Sequence, residues 1–195
     1  FQDGLWDIWF GLIIMGLGLA PLGRFLGLPE TIGVLLLIFS WDMVALLILI
    51  LGKRYISIPR IGFVKFGQNR KKRNKILSVF LGINVGFTII VFIFTLVGLF
   101  QVSLPSFLVM LIIGLLFITT PFSLIAYFIQ LKRLYLYALL GGFGLFFSDL
   151  LSPYFEVPLR NIIVFIPFGG MILIFGLIIL IHFLSKYQLT KKEIP

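Results

Sequence analysis

KRYISIPRIGFVKFGQNRKKRNK, residues 53–75, is the only long polar break in the chain, and its reading decides the fold. Nine of the sixteen basic residues fall in it: Lys53, Arg54, Arg60, Lys65, Arg70, Lys71, Lys72, Arg73 and Lys75. Nearly everything on either side is hydrocarbon. Lys and Arg collect in short cytoplasmic loops beside membrane spans, so the stretch reads as a cytoplasmic loop joining two transmembrane helices.

Outward from this loop there is room for spans and little else. The chain has 195 residues, 61% of them hydrophobic, with a mean hydropathy of +1.18; soluble domains use roughly 45–50% apolar residues. A spanning helix takes about 20 apolar residues. Apolar runs fall at about 4–26, 31–52, 76–100, 105–130, 134–151 and 158–187. The expectation is an all-α polytopic membrane protein: one membrane domain, a bundle of six transmembrane helices with both termini cytoplasmic. That arrangement puts fourteen of the sixteen basic residues inside and leaves Arg24 and Arg160 outside, as the positive-inside rule requires. The predicted location is the cytoplasmic membrane of a prokaryote.

Composition also excludes chemistry. With no cysteine, disulfides, thiolate metal sites and cysteine nucleophiles are ruled out. The net charge of +9 does not point to nucleic acid, because the basic residues border hydrophobic spans, where orientation and anionic headgroups account for them. The opening FQDGLWDIWF has no basic region ahead of its first apolar run and is not read as a secretory signal peptide. It does not start with Met, so residues preceding Phe1 are expected.

Several side chains stand out against the hydrocarbon. Asp3 and Asp7 are four apart and share a helix face. Gly16, Ala20, Gly23 and Gly27 make a smooth strip on the first span, read as helix packing. Asp42 interrupts the second span near its middle, where a carboxylate costs a few kcal/mol unless it faces the bundle interior. Asn84 sits on the third span between Gly82 and Gly86, a pair read as helix packing, and Thr119 and Thr120 precede Pro121 on the fourth. Asp42, Asn84, Thr119 and Thr120 are the candidates for a ligand or proton site. In the loop, Tyr55–Phe66 alternates in a strand-like or interfacial manner broken by Pro59, whereas Arg70, Lys71, Lys72, Arg73 and Lys75 form a polybasic contact for anionic lipid or a protein partner.

DGLWDI at residues 3–8, together with IPRIGFVKF at 58–66, resembles a group of small multi-pass prokaryotic membrane proteins of unassigned function. The resemblance covers these two stretches and brings no activity. It implies that Asp3, Asp7, Arg60 and Lys65 meet at the cytoplasmic surface as docking pairs. In size and span number the chain is also similar to the substrate-binding subunits of energy-coupling-factor vitamin transporters, a likeness of architecture alone.

No catalytic residues, metal ligands or cofactor are expected. His182 has no second histidine or acidic neighbour in sequence, Ser123 in PFSL lacks the GxSG context of an intramembrane serine protease, and no phosphate-binding glycine loop occurs. The first reading is a non-catalytic regulatory or structural membrane subunit that contacts anionic lipid or a cytoplasmic partner, either another protein or a second copy. The alternative is a small-solute carrier or substrate-binding subunit with its site around Asp42, and a membrane-embedded enzyme comes third.

Overall fold

The computed structural model describes residues 3–27, 29–61, 75–84, 86, 87, 90 and 105–187. Among the described residues there are helices and no strands. We number them α1 (Leu5–Leu26), α2 (Glu30–Ile61), α3 (Lys75–Asn84), α4 (Ser106–Ile129), α5 (Arg133–Leu150) and α6 (Leu159–Lys186). Four of them, α1, α2, α4 and α6, are long and apolar enough to cross a membrane. Two compact units result: Phe1–Val64 with Glu156–Pro195, holding α1, α2 and α6, and Lys65–Phe155, holding α3, α4 and α5.

In the first unit α1 is the core. Over its most apolar window 56% of the residues are buried, against 11% for α2, so α1 is the helix that its neighbours wrap. It runs as an α-helix over Leu5–Leu19 and tightens into a 3-10 helix over Ala20–Leu26. Phe10 and Ile14 on α1 and Phe165 on α6 have no exposed surface. Much of α2 remains uncovered, with Leu35, Leu36, Phe39, Met43, Leu47 and Ile50 all exposed. In water such a face is a liability; in a bilayer it is the expected surface.

Glycine sets the distance between α1 and α6. Gly4, Gly11 and Gly18 recur every seven residues on one helix, and Gly169 and Gly176 do so on the other. Seven residues are close to two helical turns, so each set lies on one face. A methyl group on Gly11 would sit 2.8 Å from the Leu173 nitrogen and 2.9 Å from the Gly169 carbonyl oxygen, and one on Gly176 would sit 2.7 Å from the Ile8 nitrogen. Backbone cannot yield as a side chain can, which makes this seam specific to glycine. The helices run antiparallel, for Gly4 meets Gly176 and Leu180 while Gly18 meets Asn161 and Phe165.

Contacts of a different kind join α2 to α1. The Trp41 indole N–H donates to the Leu12 carbonyl at 2.7 Å, and its ring lies over Gly16. Further along, Gly23 and Gly33 touch backbone to backbone. Of the smooth strip expected on the first span, Gly16 and Gly23 therefore serve α2. Gly27 has nothing within 4 Å of an added methyl and takes φ +71°, which ends the 3-10 turn.

The second span does not stop at Gly52. It passes through a π turn at Lys53–Ser57 and continues as α-helix over Ile58–Ile61. The strand-like or interfacial reading of Tyr55–Phe66 is thereby corrected up to Ile61, and residues 62–66 lie outside the described residues. Pro59 explains the geometry. In a regular α-helix its ring collides with the carbonyl four residues earlier, that of Tyr55, and a widened turn relieves the clash without ending the helix. The same arrangement recurs in the second unit, where a π turn at Gly114–Thr119 precedes Pro121. There the Thr120 hydroxyl donates to the Leu115 carbonyl at 2.9 Å.

The second unit is held by α4 against α5. Gly114 and Gly142 face each other at backbone distance, and the Thr119 hydroxyl donates to the Ala138 carbonyl at 3.0 Å. Phe107 meets Phe146 edge to face. Gly82 and Gly86, which sequence reads as a packing pair on the third span, have no described atom within 4 Å of an added methyl.

Candidate functional site

Two polar places in the first unit involve the acidic residues singled out by sequence. One is at the end of the unit where α1 begins, and the other is midway along α2.

At the first, Asp3 is 2% exposed. One carboxylate oxygen accepts from the Lys53 ammonium at 2.6 Å and from the Ser57 hydroxyl at 2.5 Å. The other accepts from the Leu5 amide at 3.3 Å, so the negative charge also sits at the positive end of the α1 dipole. Gly4 makes this possible. Its φ of +75° turns the chain so that Asp3 falls back over the helix start, and its lack of a side chain lets it press on Gly176. Lys53 and Ser57 are brought to one face by the helix that continues past Gly52. Lys53 itself is one-third exposed, so the ion pair is partly wet. Asp7, fully buried, lies one turn along with its Cβ against Gly176 of α6.

The docking pairs expected from sequence are distributed as follows. Asp3 takes Lys53 and Ser57 as its partners. The Arg60 guanidinium donates to the Ile56 carbonyl on its own helix. Lys65 lies outside the described residues, as do Arg70, Lys71, Lys72 and Arg73; Lys75 opens α3 and is exposed. Sequence does not name Lys53 and Ser57 as partners, because the expected span ends at Gly52. Their spacing of four was the available signal.

The second place is a groove of about 210 Å³ between α1 and α2, open on one side and lined by Trp9, Ile13, Phe39, Asp42, Met43 and Leu46. Asp42 is its one ionisable residue and has no hydrogen-bond or ion-pair partner among the described residues. The Trp9 indole N–H is buried and likewise unpartnered. The other candidates for this site belong to the second unit: the Thr119 and Thr120 hydroxyls are spent on the carbonyls of Ala138 and Leu115, and Asn84 lies at the end of α3.

His182 is exposed on α6. Among the described residues no group of three His, Cys, Asp or Glu side chains comes together. No family model, no curated protein and no solved structure matches the chain.

Proposed function

We propose that this is a six-span protein of a prokaryotic cytoplasmic membrane with both termini inside, and that it acts as a non-catalytic regulatory or structural subunit whose basic stretch contacts anionic lipid or a cytoplasmic partner. The observation that carries the reading is the Asp3–Lys53–Ser57 cluster. It fixes the start of α1 to α2 just where the basic stretch begins. Charged side chains here are used to clamp helices, and the clamp stands at the head of the basic stretch. The antiparallel α1–α6 seam supports the orientation, because it brings the Lys186 end of α6 to the end where Asp3 and Lys53 meet.

The experiment is lipid and partner retention. Arg70, Lys71, Lys72, Arg73 and Lys75 are all replaced by Gln, and the purified protein is compared with wild type by native mass spectrometry from mixed phosphatidylcholine and phosphatidylglycerol nanodiscs. Each Lys or Arg near an anionic leaflet contributes on the order of 1 kcal/mol, so the variant is expected to lose its retained phosphatidylglycerol or its copurifying subunit. Unchanged retention of both would mean that the basic stretch serves orientation alone, and the subunit reading would fail.

A further inference from the structure

The groove at Asp42 holds a carboxyl group that no described residue satisfies. A carboxyl group within a membrane span is costly and ordinarily faces a partner or a water-filled space. Here five of the six lining residues are apolar or aromatic, and none is cationic. The mouth is equally apolar, with Phe39 72% and Met43 50% exposed. Trp9, which lines the groove, also carries a buried indole N–H without a partner among the described residues, a group that native packing normally pairs.

We propose that this groove is a binding site for a lipophilic monoamine that enters from the bilayer, with its ammonium on the Asp42 carboxylate and its apolar body among Trp9, Ile13, Phe39, Met43 and Leu46. The complementarity is threefold. A single carboxylate with no counter-charge among the described residues selects a single positive charge. The rings of Trp9 and Phe39 beside it favour a cation over a neutral donor, because aromatic faces attract ammonium groups. The volume sets the size: a cavity of about 150 Å³ accommodates benzene, so about 210 Å³ takes one aromatic ring with a short aminoalkyl arm. The lining runs about two helical turns on α2, from Phe39 to Leu46, and about one on α1, from Trp9 to Ile13. That length fits a small molecule better than another transmembrane helix. This inference goes beyond the subunit reading and stands independently of the basic stretch.

The probe is 4-fluorophenethylamine, titrated by fluorine NMR against the protein in phosphatidylcholine nanodiscs, where no anionic lipid competes for the amine. Saturable binding is expected, weakened about tenfold or more by Asp42→Asn and retained by Asp42→Glu, as loss of a desolvated ion pair with aromatic neighbours implies. The neutral analogue 4-fluorophenethyl alcohol is expected to bind about tenfold more weakly than the amine. Should Asp42→Asn unfold, Met43→Trp decides, since it fills the groove while keeping the carboxyl group in the chain and is expected to abolish saturation. Equal binding of amine and alcohol, undiminished binding by Asp42→Asn or Met43→Trp, or no saturable binding to wild type would each overturn the proposal. So would a photoreactive residue at position 43 that captures another polypeptide in native membranes, because the groove would then be a seam between proteins.

Discussion

Asp3 receives an ammonium, a hydroxyl and an amide while almost wholly removed from solvent. Asp3→Ala would leave the Lys53 charge and the Ser57 hydroxyl facing a hole at the helix junction. Breaking a fully buried pair costs about 3–5 kcal/mol, but Lys53 is one-third exposed and can turn toward headgroups, so a loss of about 1–3 kcal/mol is expected. Thermal unfolding of the detergent-solubilised protein measures it. Adding Lys53→Met to Asp3→Ala should recover part of the loss, because no unpaired charge remains, and a double variant as unstable as the sum of the singles would show that the pair is not coupled. Sequence could place Asp3 at the start of a helix and Asp42 midway along one, since both follow from position along the chain. It could not supply their neighbours. Lys53 was hidden among loop charges by a misplaced helix end, and Trp9 carries no mark that sets it apart from Trp6.

At the scale of elements, neighbouring glycines on α6 carry opposite expectations. A methyl on Gly169 would lie 2.6 Å from the Gly11 carbonyl oxygen and 2.7 Å from the Met15 nitrogen, whereas one on Gly170 meets nothing within 4 Å. Gly169→Ala is expected to cost about 1–3 kcal/mol by forcing α1 and α6 apart. Gly170→Ala is expected to be neutral or to stabilise by about 0.5–1 kcal/mol, since alanine loses less backbone freedom in a helix. Melting temperatures of the two variants under the same detergent conditions decide the matter, and a destabilised Gly170→Ala with an unaffected Gly169→Ala would contradict the seam. The seven-residue glycine spacing was visible in the sequence, yet a pattern on one helix does not name the helix it meets. Gly16 and Gly23 are legible in the sequence as packing residues; the Gly4, Gly11 and Gly18 set that meets α6 is not singled out by it. Proline misled for a local reason. Pro59 signalled a break, because the sequence gives no warning that a single widened turn can absorb the ring.

For the whole molecule, hydrophobic length is the property most openly written in the chain, because a bilayer demands it from each segment separately. The grouping of α1, α2 and α6 depends on contacts between distant residues, and no single segment encodes it. Orientation links the two levels. The α1–α6 seam and the Asp3–Lys53 pair bring the start of α1, the basic end of α2 and the end of α6 to one side of their unit, while the turn at Gly27 between α1 and α2 lies at the other. The chain contains no cysteine, so single cysteines report position without background. In intact cells, a membrane-impermeant maleimide is expected to label Glu30→Cys, next to that turn, and Tyr154→Cys, between α5 and α6. Lys75→Cys and Lys186→Cys are expected to react only after permeabilisation, because moving their basic neighbours across the bilayer opposes the positive-inside asymmetry. Reaction of Lys186→Cys in intact cells together with protection of Glu30→Cys would invert the orientation. Labelling of Tyr154→Cys from the inside alone would instead change the number of spans between Glu30 and Lys186, and with it the side of the membrane on which the second unit presents its loops.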